Sequence, residues 1–196
     1  MTNQVTFTMP ARQLKALAIS ASKDDVRYYL KGIAFDFTGT HPVAVSTDGH
    51  RLLAIKIDIP VEQTPTRDMK KSYIVPLDAI QSLKTKKFDE ITITIRDDET
   101  YSLSNNGTET SGRLIEGRFP DWRKVTPTEV SGEPGQYQAD YIGDFGKIST
   151  LLDAKYPTIS HNGDKGPALI NLTDDSFGVL MPFRAENTPT ETPNWV

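Results

Sequence analysis

The chain has 196 residues, 24% of them charged, and a formal net charge of -4; that is long enough for one large or two small domains with a real core, and the composition is not that of a disordered chain. The absence of cysteine excludes disulfides and thiolate metal sites and suits a reducing, cytoplasmic setting. No apolar run approaches the ~18 residues of a membrane span, residues 1–9 do not read as a secretion signal, and the acidic balance speaks against a surface that coats polyanions.

Residues 5–9 alternate as a strand, and Pro10 then opens a helical pattern in which Leu14, Leu17 and Ala18 recur at helical spacing. Strands are expected at 30–37, 43–46 and 52–59, the last as a half-buried strand with period-two alternation. The plan repeats from residue 72. A strand at 72–75 runs into Pro76, a helix carries Leu77, Ile80 and Leu83 on one face, and strands follow at 90–96, 100–104 and 111–116. It begins again with a strand at 136–139 and a helix striped by Ile142, Phe145, Ile148, Leu151 and Leu152, then strands at 158–161, 168–173 and 177–183. The chain therefore reads as three β-α-β-β-β modules. Two connectors separate them: residues 60–71, and residues 126–135 with Pro127, Gly132, Pro134 and Gly135, the stronger boundary. Residues 186–196 have two prolines, Pro189 and Pro193, and no periodicity, and are expected to be mobile.

Between two strand patterns stands Thr47-Asp48-Gly49-His50-Arg51-Leu52. Asp48-Gly49 reads as a tight hairpin turn, since both residue types tolerate positive φ. Asp48 and His50 could serve as an acid/base pair, but residues two apart on a turn splay, and no nucleophile or second carboxylate stands near them in the sequence. The hairpin is the simpler reading, and no catalytic activity is expected.

This stretch, together with Val26-Arg27-Tyr28-Tyr29-Leu30-Lys31-Gly32, Gly117-Arg118-Phe119-Pro120-Asp121-Trp122-Arg123-Lys124-Val125 and Val179-Leu180-Met181-Pro182-Phe183-Arg184, resembles the bacterial sliding clamp, the β subunit of DNA polymerase III. The first three motifs match that family's central domain in order, and the fourth its extreme C-terminus. The resemblance implies an α+β DNA clamp fold with helices on the inner face and sheets on the outer. It divides the chain into a full clamp domain at 1–127, with modules at 1–59 and 72–127, a half domain at 136–185, and a tail at 186–196. It implies no cofactor and no metal.

The resemblance also implies a hydrophobic cleft for short linear peptides of polymerases and the clamp loader. Matched residue by residue, its lining is Leu30, Thr47, Gly49, His50, Arg51, Leu52, Pro120, Lys124, Val125, Val179, Met181, Pro182, Phe183 and Arg184. Arg12, Lys15, Lys23, Arg27, Tyr28, Tyr29, Lys84, Lys86, Lys87 and Lys147, with Lys155, are expected to face duplex DNA, those at 84, 86 and 87 from the second helix. Without the resemblance these cations describe an ordinary solvated helix face. Trp122 stands where the family has tyrosine, and the chain runs past the Met-Pro-x-Arg segment to Trp195-Val196, so that Trp195 could fold back into a cleft.

A family clamp has six modules per chain and closes as a dimer, a contact that three modules cannot make. Helices packed side by side take ~10 Å each, so about twelve enclose a hole of roughly 28 Å, wide enough for a duplex, and about nine a hole of roughly 19 Å, too tight when hydrated. Modules pair in twos, so an even number of copies is required. A homotetrameric ring, a dimer of dimers with the third module paired across chains, meets both conditions. Shortening of this kind suits a phage or plasmid genome. The alternative is a truncated mimic that occupies the clamp-binding peptides of a host without encircling DNA.

Overall fold

The computed structural model describes residues 3–59 and 71–183. In chain order the elements are β1 (Gln4–Pro10), α1 (Ala11–Ser20), β2 (Gly32–Asp36), β3 (Val43–Thr47), β4 (Arg51–Lys56), β5 (Ser72–Pro76), α2 (Leu77–Ser82), β6 (Glu90–Arg96), β7 (Thr100–Asn105), β8 (Thr108–Arg113), α3 (Ala139–Leu151), β9 (Thr158–Ser160), β10 (Ala168–Thr173) and β11 (Ser176–Leu180). Residues 60–70 of the connector expected at 60–71, Arg184, and the tail with Trp195 lie outside the described residues.

Proline performs the same switch twice. Pro10 and Pro76 end their strands with no N–H to offer a ladder, and their φ of -56 is already that of a first helical turn. β1 turns Val5, Phe7 and Met9 inward, and Ala11, Leu14 and Leu17 carry the buried face on along α1. The first two modules then exchange their first strands. β1 joins the second module in a sheet ordered β1-β6-β7-β8, while β5 joins the first in a sheet ordered β5-β2-β3-β4-β11-β10-β9. One core lies beneath both sheets, with Phe7 against Phe35 at 5.5 Å and Phe37 at 5.9 Å between centroids.

The larger sheet is covered on both faces. Ile33, Phe35, Leu53 and Ile55 enter the main core, whereas Ala34, Val45, Leu52 and Ala54 enter a second apolar cluster with Leu30, Ile74, Phe119, Trp122 and Val179. The half-buried strand expected at 52–59 is therefore corrected: β4 ends at Lys56, and Leu52 to Ile55 are buried throughout. Its alternation of large and small apolar residues reports two cores rather than one core and water.

The third module joins the first through β11 and β4, antiparallel from Ser176↔Ile55 to Leu180↔Arg51. Helix α3 packs against α1, as α2 does on its own side. Phe145 of α3 sits directly on Gly178 of β11, where a Cβ would collide with the ring. Gly178→Ala is expected to cost about 1–3 kcal/mol of stability, read from urea unfolding.

Four expectations are corrected. No strand forms at 136–139; the backbone there crosses the ends of β9 and β11, with Gly132 N donating to His161 O (3.0 Å) and Phe183 N to Gln136 O (2.7 Å), and α3 begins at Ala139. The first strands of the other modules enter a sister sheet, and the third module has none within the described residues. β8 begins at Thr108 rather than 111, because Asn106 and Gly107, with φ of 46 and 81, make a tight turn before a polar strand that carries no apolar signal. Ile142 is 43% exposed and stands off the buried stripe of Phe145 and Ile148. Finally, α2 ends at Ser82, so Lys84, Lys86 and Lys87 lie on the loop to β6.

Candidate functional site

Three separated segments enclose a small apolar cleft of about 150 Å³. One wall is the hairpin after β3. Thr47 Oγ1 accepts from Gly49 N (3.0 Å) and donates to Arg51 O (2.6 Å), while Asp48 Oδ1 accepts from His50 N (2.9 Å) and Arg51 N (3.0 Å). Gly49, at φ 93, supplies the positive-φ corner. These contacts make Asp48 a turn-former, and His50 stacks on Tyr141 at 6.0 Å.

The opposite wall is a short 3₁₀ helix, Trp122–Val125, pinned from behind. The Trp122 indole N–H and Arg123 Nη1 donate to Asp36 Oδ2 at 2.8 and 2.5 Å, and Thr38 N and Oγ1 donate to Asp36 Oδ1 at 2.9 and 2.6 Å. Burial pushes the Asp36 carboxyl up, but these donors outweigh it and hold it below the usual carboxylate range. The floor is Leu30, Leu52 and Val179, all buried, and the third segment ends the rim at Met181, whose N donates to His50 O (2.9 Å).

Of the residues assigned to this cleft from the sequence, the structure brings together Leu30, Thr47, Gly49, His50, Arg51, Leu52, Pro120, Val125, Val179 and Met181. Lys124 points outward, ion-paired with Asp121 at 3.4 Å, and Phe183 is exposed beside Pro182 outside the cavity. Sequence reasoning missed Arg27, Asp121 and Trp122, which also line it. The Phe-Pro-Asp-Trp segment held the signal for two of these. Arg27 is drawn to the cleft mouth by Asp25 (2.7 Å) and by Asp48 O (3.3 Å).

Arg51 faces two ways. Its backbone borders the cleft, but its guanidinium, largely buried, reaches Asp48 (3.1 Å), Asp144 of α3, and Ile19 O of α1 (2.9 Å), and lies over the Tyr141 ring at 4.7 Å. Burial pushes the Asp144 carboxyl up, and bonds from Lys147 and Arg51 bring it below its ordinary value. One side chain thus ties the cleft hairpin to the first and third helices.

On the helix side a groove of about 630 Å³ is lined by Lys15, Lys23, Lys147, Arg51, Asp48 and Asp144 among others. Lys15 donates to Thr85 O at 3.1 Å, Lys147 pairs with Asp144 at 2.7 Å, and Arg12 and Lys87 both reach Asp153. Lys15, Lys23 and Lys84 have no ion pair among the described residues. Tyr28 is exposed, with its ring edge-on to Tyr29 at 5.8 Å, and Tyr29 packs on the cluster beneath the cleft. Among the described residues, no group of three or more His, Cys, Asp or Glu could hold a metal, and no helix is long and apolar enough to cross a membrane.

Residues 4–121 match the family model of the DNA polymerase III beta subunit, central domain. The chain belongs to that family. A beta sliding clamp of Chlamydia muridarum is 26% identical over 197 residues, covering 98% of this chain and 53% of its own length, so this chain spans about half the length of such a relative. The beta sliding clamp of Pseudomonas aeruginosa is 32% identical over 130 residues, covering 63% of this chain and 34% of its own. The crystal structure of the DNA polymerase III subunit beta from Pseudomonas aeruginosa superposes with a TM-score of 0.70 at 19% identity, over 92% of this chain and 67% of that one. The fold is therefore the α+β DNA clamp fold, with no first strand in its third module among the described residues. The beta-subunit family model ends at 121, so the third segment of the cleft, Val179 and Met181, lies beyond it.

Proposed function

We propose that this chain is a sliding clamp and no enzyme: four copies close a ring around duplex DNA without reading its sequence, and the cleft holds short linear peptides of a DNA polymerase or clamp loader in the cytoplasm. The observation that supports it best is the convergence of residues 47–52, 120–125 and 179–181 on one apolar cleft with methionine at its rim, a surface that adapts to several extended peptides. The lysines of the helix side support a lumen that neutralises phosphates sparsely, each adding about one unit of salt slope. Retention then comes from topology rather than contact energy, which reconciles DNA binding with a net charge of -4.

The first domain, 1–127, and the half domain, 136–185, divide the work in this reading: the third module of one copy pairs with that of another. Light scattering is expected to return a mass of four copies, and the protein is expected to stay on a nicked circular duplex in high salt and to run off when the circle is cut. A stable monomer at micromolar concentration would sink the ring. It would favour the decoy reading, a mimic that only occupies a host's clamp-binding peptides, since the described lining of the cleft comes from one copy.

A further inference from the structure

The chain sets its own rule for how sheets continue from one module to the next. β4, β8 and β11 are the last strands of the three modules, and the two that meet, β4 and β11, pair antiparallel. β8 is left over, ending the four-stranded sheet with one edge that no strand pairs among the described residues. We propose that this edge takes β8 of a second copy, antiparallel about a two-fold axis at Ser111, and so forms the second joint of the ring; the inference rests on the ring reading above.

The register follows from backbone alternation and charge. Asn106 and Gly107 form a two-residue turn, so the flanking pair Asn105↔Thr108 exchanges both of its backbone hydrogen bonds. Alternation then points the N–H and C=O of Glu109, Ser111 and Arg113 away from β7, into the open edge. The side chains of these three residues share the exposed face of the sheet. A two-fold partner centred on Ser111 sets Glu109 opposite Arg113 on both sides of the axis. Centring one residue earlier or later sets both charges against neutral residues. Neither Glu109 nor Arg113 has an ion pair or side-chain hydrogen bond among the described residues, so both are available to a directly opposed partner. Two copies presenting the same patch make an isologous joint.

The two kinds of joint differ in strength. The β4–β11 contact buries Leu52, Leu53, Ala54, Val179 and Leu180, whereas β8 is polar along its whole length. The β8 joint is therefore a polar one, expected to weaken as salt rises.

Light scattering on the full chain tests this. Arg113→Glu sets carboxylates against each other at both ends of the joint, and is expected to halve the mass from four copies to two, joined through their third modules. Adding Glu109→Arg to the same chain restores opposed charges in reversed order and is expected to return four copies. A chain that merely misfolds would not be rescued in this way. An equal mixture of the two single variants is also expected to reach four copies. If Arg113→Glu keeps four copies, or the double variant stays at two, the joint is overturned while the ring stands. If the unaltered chain itself forms no four-copy assembly, the ring fails and the joint with it.

Discussion

Asp36→Ala is expected to lower stability by about 3 kcal/mol, because its carboxylate gathers the donors that hold the cleft wall in place. Asp36 is 4% exposed and accepts from Thr38, Trp122 and Arg123. Its removal strands the indole N–H, itself buried, and leaves Arg123 without its carboxylate partner. The pH dependence has a definite sign. The folded carboxyl titrates below its ordinary value, so its contribution is complete above the unfolded pKa of about 3.9 and is lost as pH falls through the folded one. Asp25, held at about 2 mainly by the hydrogen bonds from Arg27, and Asp144 share that sign. Urea unfolding at neutral pH and near pH 3 checks the point: Asp36→Ala should unfold at lower urea at neutral pH and lose less than the parent on acidification. An equal loss in both proteins would show that Asp36 is not the group responsible.

Much of this architecture is legible in the chain because its signals are local. The proline switches at Pro10 and Pro76, the alternation of Val5, Phe7 and Met9, and the Asp48-Gly49 turn each act within a few residues, and each marks an element in the expected place. What depended on distant partners was harder to see. The exchange of β1 and β5 between sheets leaves no periodic trace, and a strand buried on both faces resembles one with a wet face when small residues serve the second core, as Ala34 and Ala54 do. The segment before α3 carries a strand-like pattern and forms no strand; its backbone bonds instead to the chain just after β9 and β11, with Gly163 N donating to Glu133 O and Phe183 N to Gln136 O. For the candidate site, short motifs named most of the lining, but orientation escaped them. Arg51 turns its charge toward α3, Lys124 toward solvent, and Arg27 toward the cleft, each under the pull of a carboxylate or carbonyl far off in the sequence or on an adjoining turn.

Met181→Ala and Leu52→Ala should each weaken a polymerase-derived clamp-binding peptide, by different routes. Met181 is 38% exposed on the rim; truncating it removes contact surface for the peptide at little expense to the fold, and an affinity loss of about tenfold is expected. Leu52 is 3% exposed and belongs to both the cleft floor and the cluster of Trp122 and Val179. Its truncation should weaken the peptide at least as much and also cost about 2–4 kcal/mol of stability. Fluorescence anisotropy of a labelled peptide reads the affinity, with light scattering alongside to establish that assembly is unchanged. Met181→Leu separates shape from chemistry: similar volume should preserve most of the affinity if the rim works by apolar contact. Unchanged affinity in both alanine variants would mean that the peptide binds elsewhere, and the cleft would then be only the seam where β11 meets the first module.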